Sequence, residues 1–464
     1  MILEADVCVV GAGAGGAVAA AELAEGGARV VVLEQGDRHD ADTFTARPPE
    51  MLARLYRDGG QGLTIGNPPI VLPLGRGVGG TTLVNSGTCF RTPPHVLERW
   101  ERDFGLEGLD LEPCFARVEE ALHIAEVTPE LAGRNAEVAR RGAAALGWSH
   151  GYLRRNAHGC VGSGVCVFGC PANAKQHVGI TYVPRAEAAG ARVVTNATVT
   201  RILVERGEAV GVEAGRLTVR APNVIVAAGT IHTPLLLGRS GLGAASGQLG
   251  RNLALHPATA AVALMDEVVD MGHGVPQSLY VDEFAAEGIM FEGVAGPPAY
   301  MAMTLPLTGE RHAEAMRRYR RLATFGLMVS DSSRGRVRSL AGRPVVRYDL
   351  NREDRIRLRR GIGLLGELFR AAGAREVYLP DDRKLMAFHP LGTARADARP
   401  EHGVVDQDLR LHGVRGVHVA DGSAVPSALG VNPQLTIMAL ATRLAFGLLG
   451  RPVPTTAEEL ACPS

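Results

Sequence analysis

Apolar positions along the chain follow two periods. The run from Asp6 to Val10 is apolar and β-branched, as is ARVVVLE ending at Glu34, and an Ala-rich stretch reaching about Ala24 lies between them. Short unbroken apolar runs bounded by turn residues read as strands buried on both faces, with the Ala-rich stretch as the connecting helix. APNVIVAAGT supplies a further buried strand, ending in the small-residue turn Ala227 to Gly229. Near the C-terminus, VNPQLTIMALATRLAFGLL places Ile437, Leu440, Ala441, Leu444 and Leu448 on one stripe, the period of an amphipathic helix. Strand, turn, helix and strand in this order predict an α/β fold of Rossmann-like type.

Between the first strand and helix lies GAGAGG, in which Gly11, Gly13 and Gly16 fit G-x-G-x-x-G. The first glycine serves the tight turn, the second lets backbone approach a pyrophosphate, and the third allows close helix packing. In a chain with 58 glycines such a motif also arises by chance. The second strand makes it specific, because Glu34 stands where an acidic side chain holds ribose hydroxyls. A Gly-rich turn without ligand is the bland alternative, and position alone does not separate FAD from NAD. A second Gly-rich turn, Gly75 to Gly80, precedes TTLVN.

Composition narrows the class. The 464 residues are 46% hydrophobic, enough for a large core and more than one domain. Lys+Arg and Asp+Glu balance at 49 each, so no net field draws in nucleic acid or an anionic membrane. No segment offers the ~18 uncharged apolar residues of a membrane span. MILEADVCVVGAG lacks the features of a secretory signal, and seven cysteines, an odd number, argue for a reducing compartment. Cytoplasm is the expected location.

Three separated segments carry a family likeness: GRGVGGTTLVNSGTCF from Gly75, GTIHTPLLLGRSGLG from Gly229 followed by LGRNLALH, and HPLGTARAD from His389 continuing through GVHVADGSAVPSALGVNPQLTIMALA. In this order the chain resembles the glucose-methanol-choline oxidoreductases, FAD enzymes acting on alcohols. The resemblance implies a Rossmann-like FAD domain from about 1–100, 180–258 and 385–464. It also implies an α+β substrate domain with an antiparallel sheet from 101–179, which includes a Cys-rich loop, and 259–384. Gly80, Thr81, Asn85 and Thr88 would lie along the flavin, Val199 by the adenine, and Asp421 at the ribityl or pyrophosphate region. Asp421 also has a plain reading as a turn former, since Asp-Gly favours turns. Some relatives attach flavin covalently through a His where this chain has Val84, so dissociable FAD is expected.

Oxidising an alcohol by hydride transfer to flavin N5 leaves a protonated carbonyl unless the hydroxyl proton leaves at about the same time. Neutral imidazole, with a pKa of ~6.5, suits that base. His389 heads the HPLGTA loop and matches the family's catalytic His. Asn432 has a bland explanation as helix N-cap before Pro433. The likeness gives it a second role, sharing the substrate oxygen with His389. The helix start at Pro433 would meet negative charge near flavin N1 and O2. His256 resembles a recurrent family His and receives no catalytic role.

The Met-rich region after Gly288 resembles the long-chain alcohol oxidase branch, which points to an apolar long-chain, secondary or cyclic alcohol. Oxygen or an unidentified acceptor would take the electrons. Cys160, Cys166 and Cys170 sit in a Gly-rich loop ending in Cys-Pro. An iron–sulfur cluster, zinc with His158 or His177 as fourth ligand, and a local structural role all stay open. With a cluster the enzyme would be a dehydrogenase serving a partner. Other readings are a flavin-containing lyase on the same scaffold, an electron-carrier or binding subunit, and a nicotinamide-linked dehydrogenase.

Overall fold

The unbroken valine runs form the centre of a five-stranded parallel sheet. In the computed structural model, which describes residues 1–454, its order is Val417–Val419, Asn223–Val226, Val7–Val10, Val30–Leu33 and Arg192–Val194. Every residue of the two valine runs is buried, as expected for parallel strands covered on both faces. The first helix, Ala14–Glu25, and the last, Gln434–Leu449, lie against each other over this sheet. A small sheet of Arg201–Glu205, Glu208–Ala214, Leu217–Arg220 and Ile2–Glu4 packs against Asn223–Val226. Trp100, Phe115 and Val118 join the same core, so the helices Pro94–Phe104 and Glu112–Ala121 belong physically to the nucleotide side.

A buried charge pins this layer. Glu22 of the first helix is almost wholly buried, and Arg117 of Glu112–Ala121 meets it at 2.7 Å, with Arg185 at 3.5 Å. Isolated in the core, the carboxylate would be costly; paired, it fixes how two helices meet.

The second sheet is larger and mostly antiparallel, running Gly62–Leu63, Ile70–Leu72, Leu385–Met386, Ala258–Leu264, Leu322–Val329, Ile289–Gly293, Leu279–Val281 and His150–Tyr152, with Glu376–Tyr378 beside Ala258–Leu264. Two of its contributors, 62–72 and 385–386, come from segments expected on the nucleotide side. In its long central pair Ala260 stands opposite Gly326 and Ala258 opposite Met328. Alternation places Ala258, Ala260 and Gly326 on one face, where small side chains leave room. Ala261, Phe325 and Leu327 point the other way and are buried beneath the helices Pro129–Leu146 and Arg352–Ala371. Among the described residues no helix is long and apolar enough to cross a membrane.

Replacing Arg117 by Met should leave Glu22 with only the longer Arg185 contact and destabilise the fold by about 3 kcal/mol, read from the denaturant midpoint. The double change Glu22→Leu with Arg117→Met should recover most of that loss. A single variant as stable as the parent would contradict the pairing.

Candidate active site

The room left by the small side chains is part of one cavity of about 1210 Å³ between the sheets. That exceeds the roughly 300–1,000 Å³ of a site for one drug-sized ligand. It extends from the first Gly-rich turn to the inner face of the large sheet.

At the nucleotide end the glycines make the space. Gly11 has φ +103°, and a Cβ there would lie 2.3 Å from the carbonyl oxygen of Ala227. A Cβ on Gly16 would meet the Gly11 oxygen at 2.0 Å, while Gly13 is open, with Gly80 Cα as its nearest neighbour at 3.8 Å. Gly13 caps the first helix without any side-chain bond, and Gly13, Ala14 and Gly15 line the cavity. The unpaired N–H groups of that helix start therefore suit an anion. Glu34 is buried and accepts from the N–H groups of Ala12 at 2.9 Å and Gly36 at 2.8 Å. It braces the turn, and each oxygen keeps capacity for another donor. Val199 lines the same end.

Gly80, Thr81, Asn85 and Thr88 line the middle of the cavity with Val84, Asp421 and Pro433. Buried Asp421 accepts from the N–H groups of Gly229 and Ser423, both at 2.8 Å, and from the Thr233 hydroxyl. Burial holds its carboxyl above the usual range despite those bonds. Thr88 donates to Gln277 at 2.8 Å, and Asn85 donates to Gln434. A cradle without side chains, a free helix start and spaced polar groups together fit a dinucleotide such as FAD.

The Cys-rich loop braces this middle section. Lys175, fully buried, donates to the carbonyls of Leu83 at 2.9 Å, Asn85 at 2.7 Å and Cys166 at 2.8 Å. Burial pushes its pKa down to about 8. Arg155 donates to the Ser86 carbonyl and to Cys166 Sγ at 3.3 Å. Of the readings open for Cys160, Cys166 and Cys170, metal ligation finds no support in how these side chains are placed. Among the described residues no three His, Cys, Asp or Glu side chains are placed to hold an ion. Cys160 packs half-buried against the core of the large sheet, while Cys166 lies under a guanidinium. His158 instead packs on His123, and neither ring nitrogen of buried His177 has a partner.

At the far end the structure brings His389 and Asn432 together. Pro433, rather than Asn432, occupies the cap position of the last helix, and no side chain caps it. The Asn432 amide nitrogen lies 3.3 Å from His389 Nε2 and 3.3 Å from Glu292 Oε2, so capping does not explain this Asn. Behind His389 stands buried His256, whose Nε2 accepts the N–H groups of Leu429 at 3.0 Å and Gly430 at 3.2 Å. Its proton must then sit on Nδ1, 3.2 Å from His389 Nδ1. His389 accepts there, which leaves its own proton on Nε2, facing Asn432. Burial lowers the His389 pKa to about 4 and keeps the ring neutral.

With its proton on Nε2, His389 presents an N–H beside Asn432 Nδ2, 3.3 Å away, and Asn432 Nδ2 also donates to Glu292 Oε2 at 3.3 Å. Glu292 completes the group. It accepts from Gln277 at 3.1 Å, its Oε1 is buried without a partner, and burial pushes its pKa up to about 7. Sequence reasoning missed Glu292; its one signal was a carboxylate inside the otherwise apolar strand Ile289–Gly293. Beyond it the walls turn apolar, with Val294, Met301, Leu305, Met328 and the edge-to-face pair Phe168 and Tyr300.

Residues 52–258 and 331–441 match the GMC oxidoreductase family, and residues 9–65 match an NAD(P)-binding Rossmann-like domain. The chain is 44% identical to an uncharacterised GMC-type oxidoreductase of Mycobacterium tuberculosis, over 96% of this chain and 76% of that protein. It is 28% identical to a long-chain-alcohol oxidase of Arabidopsis thaliana, over 95% of this chain and 66% of that one. A solved pyridoxine 4-oxidase from Mesorbium loti shares the fold, with a TM-score of 0.76 at 20% identity over 96% of this chain and 99% of that one.

Proposed function

The chain belongs to the GMC oxidoreductase family, and from that premise we propose that it oxidises the CH–OH group of an apolar alcohol to a carbonyl with dissociable FAD. Bound FAD would supply the acceptor for the hydride leaving the carbinol carbon. The first Gly-rich turn, Glu34 and Val199 would hold its adenosine and pyrophosphate; Gly80, Thr81, Asn85, Thr88, Asp421 and Pro433 would hold the rest. Val84, which offers no nucleophile, supports non-covalent attachment.

The observation that carries the reading is the pair of donors facing one acceptor. An alcohol oxygen seated between His389 Nε2–H and Asn432 Nδ2–H would be held by two hydrogen bonds, and Glu292 Oε1 is a free carboxyl oxygen of the same group. The sequence expectation gave the proton to His389. The tautomer imposed by His256 supports a different division, in which His389 and Asn432 hold the oxygen and Glu292 takes its proton. A carboxyl poised near neutrality suits such a base. The apolar walls and the likeness to long-chain-alcohol oxidases support a long-chain, secondary or cyclic alcohol, with oxygen or another acceptor renewing the flavin.

Mixing the holoprotein with long-chain and cyclic alcohols under anaerobic conditions should bleach the flavin absorption. A flavin that keeps its colour with every apolar alcohol would contradict the proposal and favour redox-silent lyase chemistry. Because the ionised form of Glu292 is needed, kcat/KM should fall as pH drops below about 7. In Glu292→Gln the rate should drop by about 10²–10⁴-fold and that acid limb should vanish. An acid limb that persists in the variant would return the base role to His389.

A further inference from the structure

The strands Arg336–Leu340 and Arg343–Arg347 form a two-stranded hairpin whose faces differ sharply. Val337 and Val346, directly opposite each other, are buried on the inner face. The outer face carries Arg336 opposite Arg347, Arg338 opposite Val345 and Leu340 opposite Arg343, all exposed except half-buried Val345. Like charges directly opposite on a ladder repel. Only Arg347 of these four arginines has an ion-pair partner among the described residues, Asp349 at 3.2 Å. Arg336, Arg338 and Arg343 thus stand without an ion-pair partner among the described residues, and Leu340 is 70% exposed near the tip.

Backbone pairing makes this ribbon continuous with the mouth of the cavity. Ile65 donates to Val346 at 2.7 Å and accepts from Tyr348 at 3.0 Å. Its neighbour Leu63 pairs through Ile70–Leu72 to Leu385–Met386, which Arg383 and Lys384 precede and Phe388 follows. Gly342 and Pro344 of the hairpin, Leu63, Met303, Lys384 and Phe388 all border the cavity. Ile65, Met303, Leu63 and Phe388 are 62%, 60%, 56% and 42% exposed. Large exposed apolar side chains on segments that adjoin these arginines mark a contact surface rather than scattered exposure.

We propose that this rim docks the enzyme on an anionic lipid surface, seating the cavity mouth against the lipid so that an apolar alcohol enters without crossing water. The arginines would meet lipid phosphates, and Leu340 with its neighbours would enter the interface. A nucleic acid would use the charges and leave the exposed Leu, Ile, Met and Phe without purpose. The chain-wide balance of 49 basic and 49 acidic residues conceals the patch. The delivery step rests on the alcohol-oxidising function above; docking itself does not.

The test is co-sedimentation of the flavin-loaded enzyme with vesicles of phosphatidylcholine alone or mixed with phosphatidylglycerol. Pelleting is expected with the anionic vesicles only, and should weaken as salt rises. Arg338→Glu with Arg343→Glu should weaken it by about tenfold or more. Leu340→Asp should also weaken it, with flavin content and turnover of a short water-soluble alcohol unchanged in every variant. No preference for anionic vesicles, variants that pellet like the parent, or retention on heparin without vesicle binding would each overturn the docking. Pelleting by an enzyme whose flavin no alcohol bleaches would uphold docking and overturn the proposed function instead.

Discussion

The N–H groups of Leu429 and Gly430 both reach Nε2 of His256, and the character of the reacting end follows from that contact. An imidazole nitrogen that accepts two backbone donors cannot carry a proton, so His256 donates from Nδ1 and His389 is left with its proton on Nε2. His256 holds this place at φ +50°, a left-handed conformation unusual for a residue with a side chain. Buried Asp331 accepts its backbone N–H and that of Leu255, and the Tyr348 hydroxyl donates to the same carboxylate. Backbone strain at His256 is therefore offset by charge-assisted bonds one layer further out. The placing of His389 beside Asn432 rests on main chain, which moves less readily than side chains.

The same economy of polar groups shapes the cavity. Its nucleotide end is polar because glycines expose main chain there, and the polar groups at its other end gather around His389, Asn432 and Glu292. Val294, Met301, Leu305 and Met328 give an apolar stretch of wall on the large-sheet side. Lys175 connects the two halves of the problem. By gathering the carbonyls of Leu83, Asn85 and Cys166 it ties the Cys-rich loop to the segment that lines the cavity middle. Cys166 of that loop also meets the Arg155 guanidinium, at 3.3 Å from its Sγ.

Much of the fold was legible because its signals are local. Valine runs and glycine spacing announce a parallel sheet with a Gly-rich turn, and Gly11 and Gly16 show the steric reasons directly. Asn432 was legible as a position and ambiguous in role, since Asn-Pro before a helix reads equally as a cap; only the side-chain placement separates the two. Glu292 was not legible, because one carboxylate in an apolar strand acquires meaning from Asn432, 140 positions away, and from His389 beside it. The pairing of 62–72 and 385–386 into the large sheet was hidden for the same reason: strands of two or three residues are defined by long-range partners. The arginine face of the hairpin was invisible to net charge, which averages over the surface.

The proton on His389 is the point on which the reading of the site turns. The nitrogen-15 spectrum of histidine-labelled holoenzyme, with the His389 signals identified by their loss in His389→Gln, reports it directly. The account predicts a neutral ring with hydrogen on Nε2 and a bare Nδ1 at neutral pH. A proton found on Nδ1 of His389 would contradict it, because His256 would then have no acceptor to meet and the two-donor seat beside Asn432 would not exist.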